Sequence, residues 1–357
     1  MNNILLDDLE IISKCDICFE KYKNKVFLIT GGTGLIGSLL IKTLLYCDIK
    51  YNLNIKICVV VRDKKRAMEI LAEYDTYKKI DYYIADLEKD DIKIEEKIDY
   101  IIHAASPTRS RYIIQHPVEV FDAMVLGTKK MLDIAVTNKV ETFIYISSME
   151  MYGQVECSGK IDEEKIGYLD LKNPRSCYPQ GKRTCECLCH SYMSEYGVNI
   201  KIARLAQTFG AGILDNEDRV FAQFAKSAIN NENIILHTDG SSEGNYVYTR
   251  DAVVGILYLL TKGKIGEAYN ISNEQCHCSI KEMAELVAGS ICNDDIEVII
   301  DIPEDSKSLG YAPNVKMWLD AEKMRRIGWK PEVGMIEAYN RMIQWIEFQK
   351  ANKKECN

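Results

Sequence analysis

The chain opens on a helical rhythm and then changes to a different one. Over residues 1–22, Leu5, Leu9 and Ile12 recur at helical spacing, which predicts an amphipathic amino-terminal helix serving as a packing extension. From Lys25 short apolar runs of strand length alternate with longer helical stretches: KVFLIT, GSLLIKTLLYC, IKICVVVR, KKRAMEILAEY, IDYYIADL. Further strands fit IDYIIHAA, VETFIYISS, NIKIARLAQTFG and ENIILHT, and helices fit residues 117–136 and 178–196. This alternation predicts an α/β fold with a doubly wound parallel sheet, covered by helices on both faces. After about residue 205 the order loosens into short strands, turns and helices such as DAVVGILYLLTKG and SIKEMAELVAGSI. The expected organisation is an extension over 1–24, a sheet domain over 25–205, a smaller mixed lobe over 206–345 interleaved with it, and a polar tail over 346–357.

One interruption in the pattern carries chemistry. FLITGGTGLIGSLL sets Gly31, Gly34 and Gly37 three apart between a strand and a helix, with Thr33, Leu35 and Ile36 among them. There a dinucleotide's pyrophosphate can rest on the helix amino terminus: Gly31 gives a tight turn, Gly34 admits the phosphates, and Gly37 lets helix and strand pack closely. The sheet is therefore expected to be of the Rossmann type.

Composition narrows the classes of partner. The 357 residues carry 45 Lys and Arg against 53 Asp and Glu, a net charge of -8, with the basic residues scattered, which speaks against nucleic acid. Acidic residues stand where a signal peptide would be positive, and no apolar stretch reaches the length of a membrane span. A cytoplasmic protein with reduced thiols is expected. Of its 13 cysteines, Cys185, Cys187 and Cys189 do not converge on one point of a helix, and Cys276 and Cys278 lack CxxC spacing, so no metal is expected.

A second constellation lies in RSCYPQGKRT. Tyr178 and Lys182, four apart at the start of a predicted helix, project from one face, and the lysine's charge is expected to lower the phenol's pKa. With the glycine spacing, and with ADL at 85–87, HAAS at 103–106, ISSMEMYG, ARLAQTFG, YVYTRDAV, AYNISNE and IGWKP in order, the chain resembles the extended branch of the short-chain dehydrogenase/reductase superfamily over residues 25 to about 345. That branch holds the nucleotide-sugar epimerases, 4,6-dehydratases and UDP-glucuronate decarboxylases, and residues 175–210 look most like the decarboxylases.

The resemblance implies a nicotinamide cofactor, a nucleotide-sugar substrate and a homodimer paired through two long helices. It places Asp86 and Leu87 at the adenine site, Ala104, Ala105 and Ser106 at the cofactor edge, and Lys182 on the nicotinamide ribose. Ser148 shares a hydrogen bond with the sugar beside Tyr178, the base that takes a hydroxyl proton as hydride leaves. Glu150 stands where dehydratases and decarboxylases carry an acid, although it also reads as a solvated loop carboxylate. Epimerisation through a 4-keto sugar is the leading reaction, decarboxylation the next, and keto-sugar reduction the third; a cofactor-binding regulatory protein is the rival without chemistry.

Departures from the branch are equally specific. Met149 replaces the dehydratases' acidic aspartate, Met124 and Gln207 replace asparagines, Gly244 replaces an arginine that grips the substrate diphosphate, and Ala312 replaces a late decarboxylase arginine. Arg250, Arg219, or Arg109 with Arg111 would then have to hold the diphosphate, the last pair reading equally as surface charge. At the end of the second strand Arg62 favours the 2'-phosphate of NADP, while Asp63 beside it could serve the ribose of NAD. His103 and His237 read as structural, and Trp318 and Trp329 as packing residues.

Overall fold

The computed structural model describes residues 3–157, 159–214, 216–303 and 315–355. Seven parallel strands form the main sheet: β1 (Val26–Thr30), β2 (Lys56–Val61), β3 (Ile80–Ile84), β4 (Tyr100–His103), β5 (Thr142–Ser148), β6 (Ile200–Leu205) and, later in the chain, β10 (Ala268–Ile271). They lie in the order β3-β2-β1-β4-β5-β6-β10, so the direction of winding reverses between β1 and β4. In such sheets the crevice at that reversal is where a ligand binds.

Why these strands are apolar almost throughout is visible in their packing. Phe27 and Ile29 of β1 face one core, with the amino-terminal helix α1 (Asn3–Ser13), α2 (Leu35–Tyr51) and α8 (Thr249–Lys262), while Leu28 between them faces another. That second core holds α5 (Pro117–Asn138) and α6 (Cys177–Tyr196). A strand buried on both faces has no polar side to show. Cys185 and Cys189 belong to the α5–α6 core, and Cys187 is exposed.

A third core lies under the smaller lobe. There β7 (Gln207–Phe209), β9 (Glu243–Tyr248) and β11 (Asn273–Ser279) make a mixed sheet, and β8 (Ile234–Leu236) pairs with β12 (Val298–Ile300). α7 (Val220–Asn230), α9 (Ile280–Leu286) and α11 (Met335–Glu355) pack on it. The lobe and sheet interleave, because the chain forms β7, β8 and β9 in the lobe before β10 returns to the main sheet. The remaining short helices are α3 (Lys64–Ile70), α4 (Ser110–Gln115) and α10 (Glu322–Arg326).

Four boundaries differ from the expected pattern. The amino-terminal helix stops at Ser13, whose hydroxyl bonds the Glu10 carbonyl at 2.7 Å, and a separate turn, Phe19–Tyr22, follows. NIKIARLAQTFG is two strands: the chain leaves the main sheet at Ala206 and enters the lobe as β7, a change of sheet that an unbroken apolar run does not encode. SIKEMAELVAGSI is α9 followed by a wider π turn, Val287–Ile291. The expected tail is mostly helix, since α11 runs through Glu355.

Candidate active site

The glycine loop is built as a cradle. Gly31 sits at φ +72°, and a Cβ there would lie 2.9 Å from the Ala104 backbone at the end of β4. A Cβ on Gly37 would lie 2.2 Å from the Gly31 carbonyl oxygen, so α2 can start this close to β1 only with glycine there. Gly34 differs: among the described residues beyond its chain neighbours, a Cβ there would have only the Gly31 oxygen within 4 Å, at 3.3 Å, leaving its outer side open. Gly34 is also the N-cap of α2, with no capping side chain and no acid in the first turn. First-turn N–H groups lacking side-chain acceptors, beside an open glycine at the sheet's reversal, fit a pyrophosphate. Thr33, Leu35 and Ile36 are half-buried around it.

The neighbouring strand ends complete the crevice. Thr30 bridges β1 and β4, its hydroxyl 2.8 Å from His103 Nδ1 and accepting from the Ala105 N–H at 3.1 Å. His103 is buried and its other nitrogen lies 3.1 Å from the Thr128 hydroxyl. Burial first, and then the charge of Lys182, push its pKa down to about 3, so it is a neutral spacer. Ala104, Ala105 and Ser106 are half-buried beyond it, as are Asp86 and Leu87 after β3. Arg62 is exposed at the end of β2, while Asp63 accepts from the Arg66 N–H at 3.0 Å and so caps α3.

Tyr178 and Lys182 are both buried on the first turns of α6. The Lys182 ammonium donates to the Ile146 carbonyl at 2.9 Å and stands 5.7 Å from the Tyr178 ring centre. Met124 of α5 packs against Gly181 between them: a Cβ on Gly181 would come within 2.9 Å of its methyl carbon. The phenol does not shift in the direction expected from its lysine. Burial foremost, then the Glu150 charge, push Tyr178 up to about 12; a hydrogen bond with Ser148 and the charges of Arg175 and Arg219 pull the other way. Lys182 itself is pushed down to about 8, chiefly by burial.

Glu150 is no free loop carboxylate. Its N–H donates to the Ser148 hydroxyl at 3.2 Å, and its Oε2 lies 2.9 Å from Nη2 of Arg175, in the turn Pro174–Ser176 just ahead of α6. Two further Arg175 donors, Nε and Nη1, are buried without an acceptor among the described residues. Leaving such groups dry costs about 1–3 kcal/mol each.

The arginines expected to hold a diphosphate divide. The Arg250 guanidinium is buried among Asp8 at 3.7 Å, Asp251 at 3.3 Å and Glu332 at 3.2 Å, so taking a phosphate would compete with an existing charge network. Arg219 lies against Phe221 and pairs with Glu217 at 2.6 Å, yet it is half-exposed and close enough to act on Tyr178. Arg109 and Arg111 are exposed at the start of α4, and Gln207 is half-buried at the start of β7. A Cβ on Gly244 would meet the Met149 methyl carbon at 3.4 Å, which places β9 beside the Ser148–Glu150 turn. Ala312 lies outside the described residues.

A family model described as "NAD dependent epimerase/dehydratase family" matches residues 27–272. The chain belongs to that family. Its relatives include UDP-glucuronic acid decarboxylase 1 of Danio rerio, 27% identical over 92% of this chain and 73% of that protein. dTDP-D-glucose 4,6-dehydratase of Bos taurus is 28% identical over 90% of this chain and 88% of that one. The fold matches a crystal structure of UDP-glucuronic acid 4-epimerase from Bacillus cereus, in complex with UDP-glucuronic acid and NAD, with a TM-score of 0.76 at 20% identity, covering 91% and 99% of the two chains. Members of the epimerase/dehydratase family named in these comparisons are enzymes acting on nucleotide sugars, and no helix among the described residues of this one is long and apolar enough to cross a membrane.

Two residues that shape this family member's site escaped the sequence reading. Arg175 is three positions before Tyr178, but nothing in RSCYPQGK announces a partner on the other side of the site. Arg183, one turn along α6 from Pro179, donates to the carbonyls of Met151 at 2.6 Å, Tyr152 at 3.0 Å and Gly167 at 2.8 Å, clamping the chain that follows Glu150.

Proposed function

We propose that the protein remodels a nucleotide-linked sugar through a transient 4-keto intermediate, and that the net reaction is epimerisation. The observation that carries this reading is the convergence of Ser148, Glu150, Tyr178 and Lys182 where β5 ends and α6 begins, beside a cradle that fits a dinucleotide. A bound nicotinamide supplies the reversible uptake of hydride. The protein supplies the rest: Ser148 and Tyr178 hold the sugar hydroxyl, Tyr178 takes its proton, and Lys182 holds the cofactor ribose. A ketone at C4 acidifies the C–H at C5, the atom that Glu150 serves as base, and it also permits inversion at C4 on hydride return. Gln207 and Arg219 hold the diphosphate, with Arg109 at the rim. Asp86, Leu87 and Ala104 to Ser106 line the adenosine half, and the exposed Arg62 favours NADP over NAD. α5 and α6 of two copies form the dimer.

Dehydration is not part of the proposal, since Met149 has no proton to give a departing C6 hydroxyl. Decarboxylation is the second reading, supported by the likeness to UDP-glucuronic acid decarboxylases and by a sugar acid's lability beside a C4 ketone. Incubating the cofactor-loaded protein with UDP-glucose, UDP-glucuronate and dTDP-glucose in heavy water separates these outcomes by nuclear magnetic resonance. Deuterium at C5 identifies Glu150 chemistry, inversion at C4 without deuterium identifies hydride return alone, and carbon dioxide identifies decarboxylation. A 4-keto-6-deoxy product overturns the exclusion of dehydration, and no change in any sugar overturns the reading as a whole.

A further inference from the structure

Arg175 is held on all sides yet under-used. Its backbone is fixed by Asn173, whose side-chain oxygen accepts from the Arg175 N–H at 3.0 Å. One guanidinium nitrogen meets Glu150, and two others are shut away from solvent with no acceptor among the described residues. An arginine placed for stability spends its five donors on nearby oxygens, as Arg183 does on three carbonyls one strand-end away. What Arg175 delivers instead is a positive charge paired with the Glu150 carboxylate and close enough to act on the Tyr178 phenol.

We propose that Arg175 is the positioning residue of this site: it pins the Glu150 carboxylate beside Tyr178 and cancels its charge there, so that the phenol can lose its proton. The inference rests on the reading of Tyr178 as the base. The groups facing that phenol are Ser148 from β5, Glu150 from the turn after it, Arg175 from the turn before α6, Arg219 from the start of α7, and Lys182 from α6 itself. Among them Glu150 alone is an acid, and its charge opposes ionisation of Tyr178. With Arg175 removed, that charge is left uncompensated beside the phenol. With Glu150 removed, Arg175 and Arg219 act unopposed.

These opposite signs make the test. The holoenzyme is mixed with UDP-glucose or UDP-glucuronate, and reduction of its bound nicotinamide is followed in a single turnover across pH. Arg175→Met is expected to move the acid limb of the rate profile upward by about one pH unit, the smaller end of the usual effect of a neighbouring charge. Glu150→Gln should move it downward, the double variant should return near wild type, and Arg175→Lys should recover most of the shift. A rate lowered equally at every pH, or a double variant that keeps the Arg175→Met limb, overturns the inference. Should Arg175→Met fail to fold, Arg175→Gln, which also removes the charge but keeps a polar side chain, against Glu150→Gln still carries the opposite signs. Reduction by neither sugar in the wild type overturns the proposed function and this inference with it; reduction with an unmoved limb overturns this inference alone.

Discussion

Asp8 on the first helix accepts a hydrogen bond from the Tyr248 hydroxyl at 2.6 Å, although 240 positions separate the two residues. The same carboxylate lies 3.7 Å from Arg250 and 3.2 Å from Arg341, with no exposure of its own. Removing Asp8 leaves the buried Tyr248 hydroxyl without this acceptor, at about 1–3 kcal/mol. Asp8→Ala should therefore lower the unfolding free energy by about 1–3 kcal/mol, read as a shift in the urea midpoint at neutral pH. An unchanged midpoint would mean that the amino-terminal helix rests on the fold without holding it.

His103 sets an acid limit on stability. Its pKa is raised on unfolding from about 3 to the ordinary 6.5, so as pH falls from about 6.5 the unfolded chain takes a proton that the folded one refuses. Stability contributed by the neutral ring is thus complete above that window and is lost progressively towards about 3. Asp8, pushed up to about 6 mainly by burial, works in the opposite sense: it favours folding at low pH and costs stability as pH rises through about 6. Comparing the melting temperature of wild type and His103→Asn between neutral pH and about pH 5 isolates the histidine, because Asp8 is common to both. The variant should show the flatter profile; parallel profiles would count against a neutral, buried ring.

For the proposed base, Tyr178→Phe removes a hydroxyl and little volume. Turnover should fall by about a hundredfold or more, with ligand and cofactor affinity nearly intact. Lys182→Met should also lose turnover and in addition release the cofactor more readily. Normal turnover in Tyr178→Phe, measured by product formation, would remove Tyr178 from the mechanism.

The proposed preference for NADP rests on Arg62. Asp63 caps α3, and the arginine beside it is exposed at the end of β2. Arg62→Ala should weaken NADP binding by about tenfold, the worth of one modest charge contact, and leave NAD binding nearly unchanged. Mass analysis of the cofactor released from purified protein is the direct check, and NAD alone would reverse the assignment.

The main sheet and the glycine loop were legible because burial on both faces makes β1, β2 and β5 continuous apolar runs, and because Gly31 and Gly37 are forced by contacts that no side chain tolerates. Tyr178 and Lys182 were legible as a pair since one helix carries both. Their electrostatics were not: Lys182 was the expected source of positive charge on the phenol, whereas Arg175, from the turn just ahead of α6, and Arg219, from the start of α7, supply it. The charge partners of Arg250 were illegible for the same reason, Asp8 standing at the other end of the chain. Local pattern encodes a side chain's element and face, while charge partners are chosen by tertiary packing.

The late return of β10 to the main sheet has a consequence for synthesis. Until residues 268–271 have emerged, β6 presents an open row of N–H and carbonyl groups, and Leu5, Leu9 and Ile12 wait beside a core whose wall, α8, precedes that strand only narrowly. A nascent chain halted within the small lobe therefore carries both a bare strand edge and an uncovered apolar helix, features that invite association with other chains. Such a fold is completed as a whole or scarcely at all, and a gene truncated after the glycine loop, Tyr178 and Lys182 would yield aggregate, with every proposed catalytic side chain encoded.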